Sequence, residues 1–100
     1  MMRMKIKLNE EKARENGKYT VEEMYKKIDD LAKKVNITKK DKEGAFVGNN
    51  DRYDLSSFIR IVLTLKDCNW FKPYVEEWLW DENGEVEDVV KFYNLGRKTL

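Results

Sequence analysis

Residues 2–8 alternate without a break, with Met2, Met4, Ile6 and Leu8 set against Arg3, Lys5 and Lys7. A period of two predicts a half-buried strand with one wet, basic face. Residues 9–18, NEEKARENGK, hold almost nothing apolar and predict a polar connector with at most one frayed helical turn. The period then changes. Thr20 and Glu23 form a capping box, and Tyr19 with Met24 sits at staple spacing. Val21, Met24, Tyr25, Ile28, Leu31, Ala32 and Val35 follow on one face, which predicts a helix over 20–35 that ends at Asn36. Glu22–Lys26, Glu23–Lys27, Asp29–Lys33 and Asp30–Lys34 stand at i, i+4 and are expected to pair along it.

Over 37–48, ITKKDKEGAFVG, a polar turn separates Ile37 from Ala45, Phe46 and Val47, so a short hairpin or strand is expected. GNNDRY makes a loop. Residues 55–66 alternate in part, yet a helical wheel gathers Leu55, Phe58, Ile59, Ile61, Val62, Leu63 and Leu65 on one broad arc. With Asp54 as N-cap, this predicts a helix over 54–66. In WFKPYVEEWLW, the residues Trp70, Phe71, Tyr74, Val75, Trp78 and Leu79 fall within about 180° at 100° per residue. Pro73 suits a first turn and Asn83-Gly84 a stop, so a helix is predicted over 70–81. On that wheel Trp80 stands opposite the core face, beside Glu76 and Glu77. A last helix is predicted over 85–95, from Val86, Val89, Val90 and Tyr93, stopping near Gly96, with Arg97 and Lys98 suiting its C-terminal dipole. The sum is an α+β fold: a helix-dominated single domain over 1–100, with about four helices and a small two- or three-stranded antiparallel sheet.

Charge changes the picture locally and not globally. Twenty basic and nineteen acidic residues leave a net of +1, which excludes a binder that works by bulk charge. The distribution is uneven: residues 1–43 carry 13 bases and 9 acids, whereas residues 73–90 carry seven acids and no base. Cys68 is the only cysteine and histidine is absent, so no internal disulfide forms and the usual general base and metal ligand are missing. No apolar run approaches the roughly 20 residues of a membrane span. A cytoplasmic protein is expected, without cofactor, metal or catalytic residues. Cys68 reads as a half-buried residue at a helix junction, and the Asp- and Asn-rich loops lack the spacing of a calcium loop.

Two surfaces remain as candidates. The first is a protein-binding patch made of Trp80 and the acids around it: Glu76, Glu77, Asp81, Glu82, Glu85, Glu87 and Asp88. Trp is enriched at interaction hot spots. The alternative is a nucleic-acid contact made by Arg3, Lys5 and Lys7 on the strand with Lys39, Lys40 and Lys42 in the turn.

The stretches KIKLNEEKARENGKYTVEEMYKKIDDLAKK, GAFVGNNDRYDLSSFIRIVLTLK, NWFKPYVEEWLW and VEDVVKFY together resemble small accessory proteins of bacterial phages and integrative mobile elements. That resemblance implies an anti-defence role of the anti-CRISPR kind, exerted by binding a host protein. It supplies no catalytic motif. The expectation is therefore a non-enzymatic inhibitor of a host defence or nucleic-acid-processing protein, acting through an acidic, Trp-containing surface.

Overall fold

The computed structural model describes residues 1–95, so the expected stop at Gly96 and the bases Arg97 and Lys98 lie outside the described residues. The alternating N-terminal stretch is a strand, β1 (Met2–Leu8), and it sits in the middle of a five-stranded antiparallel sheet. Two short helices of sequence follow it. In α1 (Glu10–Asn16) the Asn9 side chain accepts the Lys12 N–H at 3.0 Å, and Gly17 closes the C-terminus at φ 69°. This is more than the frayed turn expected of a polar connector. Ala13, the one apolar residue of the stretch, is buried and anchors it.

Thr20 caps α2 (Val21–Lys34) by accepting the Glu23 N–H at 3.1 Å, and Val21, Met24, Ile28 and Ala32 are buried on its inner face. Asn36 adopts φ 63° just beyond the helix, the left-handed turn that terminates many helices. The four ion pairs expected along α2 are not made. Asp30 instead meets Lys26 at 3.1 Å, and Asp29 reaches across to Lys40 at 2.7 Å. Long side chains on a wet face pair with whatever lies nearest, at little gain either way.

Strands β2 (Lys39–Lys40) and β3 (Phe46–Val47) form a hairpin whose turn is held by Asp41, which accepts the N–H groups of Glu43 and Ala45 at 2.9 and 3.0 Å. The loop that follows is organised by Asp54, the first residue of α3 (Asp54–Leu65). Its buried carboxylate accepts the N–H groups of Asn49 and Asn50 at 2.9 and 2.8 Å. A Cβ on Gly48 would stand 2.5 Å from Asp54 Oδ2, so this position requires glycine for space.

Residues 70–81 correct the sequence reading. They do not form a helix. Phe71 and Tyr74 are buried in turns held by bonds to Cys68 and Phe71 carbonyls, and then the chain extends as β4 (Val75–Glu82). Asn83 and Gly84, both at positive φ (53° and 93°), make a two-residue hairpin turn into β5 (Glu85–Asp88). A helix would have left Trp80 in water. A strand places Trp78 and Trp80 on one face, opposite Ile6 and Met4 of β1. The last helix is correspondingly shorter than 85–95: α4 (Val89–Tyr93) starts only after β5, with Asp88 as N-cap accepting the Lys91 N–H.

The strand order is β2-β3-β1-β4-β5. The expected two- or three-stranded sheet is thus too small, because an extended 75–88 adds a hairpin to it. Met4, Leu8, Phe46 and Trp78 on one sheet face pack against α2 and α3, whose Ile28, Phe58, Ile61 and Leu65 complete a single core. The architecture is two layers, helices over one face of the sheet.

Candidate partner-binding groove

The two surfaces expected from the sequence meet each other on the open face of the sheet. Cross-strand neighbours on β1 and β4 place Arg3 opposite Asp81, Lys5 opposite Leu79 and Lys7 opposite Glu77. Lys7 Nζ lies 3.2 Å from Glu76, Lys5 Nζ 3.1 Å from Glu77, and Arg3 3.6 Å from Asp81. Arg3 also donates to Asp41. The Arg3 hydrogen bond, helped by the Ala45 and Glu43 N–H groups, keeps the Asp41 carboxyl below the usual range. The Glu76 hydrogen bond raises Lys7. Arg3 is raised in turn by Asp41.

The remaining bases scatter. Lys40 pairs with Asp29 and lies over the Phe46 ring, while Lys39 and Lys42 are exposed in and beside the hairpin. The six bases therefore do not form one free cationic track. The uninterrupted acidity of residues 73–90 also has a physical reason: the bases that balance it stand on β1, seventy residues away in the chain and adjacent in the sheet.

Of the acids, Glu76, Glu77 and Asp81 belong to that ladder, and Asp88 caps α4. Glu82, Glu85 and Glu87 are left, with no ion pair among the described residues. These three share a groove of about 510 Å³ between α3, the β4–β5 hairpin and α4. Its floor is apolar, made by Val62, Trp80, Val89, Phe92 and Tyr93. Trp80 is half-buried and fixed there by an edge-to-face contact with Phe58, ring centroids 6.0 Å apart. Its indole N–H is buried without a hydrogen-bond partner among the described residues. Thus Trp80 is part of the groove floor and a support of the core together, and not the free-standing surface residue that a helical wheel implies.

Val62, Val89 and Tyr93 stand in the sequence only as apolar positions of two helices, and nothing there marks Phe92. The signal that points to the groove is the Asn83-Gly84 turn between alternating residues, which marks a hairpin. A second signal lies in α3. Its apolar arc covers more than half the wheel, whereas only Phe58, Ile61, Val62 and Leu65 face the core. Leu55, Ile59 and Leu63 remain 48%, 38% and 51% exposed, and Phe92 is 71% exposed.

Nucleophilic and metal chemistry find little here. Cys68 donates to the Thr64 carbonyl, and burial pushes its thiol up, away from a reactive thiolate. Among the described residues no group of His, Cys, Asp and Glu is placed to hold a metal ion, and no helix is long and apolar enough to cross a membrane. Comparison with protein-family models, curated proteins and solved structures finds no match to this chain.

Proposed function

We propose that this protein is a non-enzymatic, cytoplasmic binding module that holds a basic segment of a partner protein in the groove floored by Trp80. The observation that carries the reading is the coincidence of an apolar floor with three carboxylates, Glu82, Glu85 and Glu87, that make no ion pair among the described residues. Acids at a surface are usually paired, capping or solvated. Acids around a shared apolar groove offer a cationic partner both burial and charge complementarity. Covering a basic surface that otherwise meets nucleic acid is the form of inhibition such a groove suits, and the resemblance to mobile-element accessory proteins is what directs that inhibition to a host defence or nucleic-acid-processing protein.

Direct nucleic-acid binding has less support. Arg3, Lys5 and Lys7 are matched by carboxylates that would have to be displaced by phosphate. A gel-shift assay at low salt is expected to show no retardation of DNA or RNA, where a phosphate-binding protein would show its strongest binding.

The groove is tested by E85K/E87K. Both positions are exposed on β5, so the double variant is expected to keep the wild-type melting temperature within a few degrees. Capture of the partner by immobilised protein is expected to fall at least about tenfold. Undiminished capture by the folded double variant overturns the reading.

A further inference from the structure

We infer that the segment held in this groove is an amphipathic α-helix with a lysine- or arginine-rich flank, lying alongside α3. The inference rests on the groove being the binding site and goes further in naming the shape and charge of its occupant. Leu55, Ile59 and Leu63 follow at i, i+4 and i+8, so they form one ridge about 12 Å long down the outer side of α3. On the helix surface Val62 neighbours Leu55 and Ile59 on one side and lines the groove on the other. Ridge and groove floor therefore adjoin at Val62, itself only 6% exposed, and together make a band of apolar side chains from Leu63 to Trp80 and Phe92.

Charge borders this band asymmetrically. Glu82, Glu85 and Glu87 stand along the β4–β5 side. Lys66 lies over the Tyr93 ring at 5.5 Å but is already paired with Asp67 at 2.8 Å, so it does not neutralise the rim.

A helix, about 10 Å across with its side chains, can present one face to the ridge and an adjoining flank to the rim. Its apolar stripe covers the band, and ridges spaced four residues apart interdigitate with those of α3. Cationic side chains next to the stripe then reach the carboxylates. An extended peptide added to the free edge of β5 would satisfy main-chain groups and leave the α3 ridge bare. A second copy of this chain would cover the ridge but bring its own acids to the rim. The helix with a basic flank satisfies every feature of the surface at once.

The test uses the whole protein, isotope-labelled, and a designed Leu/Lys peptide of about 18 residues with leucines at helical spacing. Controls are the same composition in scrambled order and a Leu/Glu peptide of the same spacing. The expected result is binding of the Leu/Lys helix at least about tenfold tighter than either control, with a gain of peptide helicity. Resonances of Leu55, Ile59, Leu63, Trp80 and Phe92 are expected to shift, and both I59E/L63E and E85K/E87K to weaken binding about tenfold or more. All four positions are exposed, so both variants are expected to fold.

Binding that requires Glu85 and Glu87 but is indifferent to I59E/L63E, or that favours the scrambled peptide, overturns the helix and leaves the groove reading intact. Binding indifferent to E85K/E87K removes both. Failure of the Leu/Lys peptide to bind, or self-association that I59E/L63E abolishes, also overturns the inference.

Discussion

At the scale of single residues, Trp80 holds two roles that are usually separate. Its ring meets Phe58 edge-to-face and also lines the groove, yet its N–H is buried with no acceptor among the described residues. An unpaired buried donor costs about 1–3 kcal/mol. Trp80→Ala removes packing and is expected to cost about 2–3 kcal/mol in a urea titration. Trp80→Phe removes the orphaned N–H together with part of the ring, so its cost is expected to stay below about 1 kcal/mol. Equal losses for the two substitutions would show that the N–H is satisfied in solution. The same residue shows how far a sequence can mislead. Trp70, Phe71, Tyr74, Val75, Trp78 and Leu79 do fit a helical arc, and the single misfit, Trp80, is the residue that declares a strand.

At the scale of elements, the difference lies in what a local period can reveal. Thr20 before an amphipathic run and the wheel of residues 55–66 are local signals, and α2 and α3 follow from them. β4 depends on β1, a partner far away in the chain, and is selected by the match of Met4 and Ile6 to Trp80 and Trp78. The hairpin was nonetheless marked by Asn83-Gly84, whose pairing of positive φ angles suits strands better than a helix stop. Gly84→Val forces a β-branched side chain into φ 93°. It is expected to cost about 1–2 kcal/mol and to broaden the β5 and groove resonances before those of α2. Uniform loss across the protein would mean that the hairpin is not a separate unit.

At the scale of the whole molecule, charge is balanced across the sheet and not along the chain. A sequence count could show the excess of bases before residue 43 and of acids after residue 73, but only the antiparallel register of β1 and β4 turns these into pairs. Such exposed pairs contribute little individually. Their pH dependence is still readable. Asp41 is more acidic in the folded chain than its usual value of 3.8, so its contribution is present above that value and is lost as pH falls through the lower, folded one. Lys7 is raised above 10.5, so its contribution is present below that value and is lost as pH rises past it. Asp41→Asn is expected to lower stability at pH 7 and to narrow its gap to the wild type as pH drops below about 4. A gap constant from pH 7 to pH 2.5 would show that Asp41 is not engaged with Arg3 in solution.

The central place of β1 also has a consequence for biosynthesis. This strand is bordered on one long side by β4, whose residues are synthesised about 70 positions later. At roughly 5–20 residues per second that interval is on the order of 4–14 s. Throughout it, a nascent strand with four apolar residues on one face has an open hydrogen-bonding edge, the kind of segment that recruits neighbouring chains. Arg3, Lys5 and Lys7 occupy every second position of that strand, and like charges resist stacking of one nascent copy on another. Asp41 becomes available to Arg3 first, and the emergence of Glu76 and Glu77 then turns the repulsion at Lys5 and Lys7 into pairing. The bases of β1 thus guard the unfinished chain first and join the finished sheet afterwards.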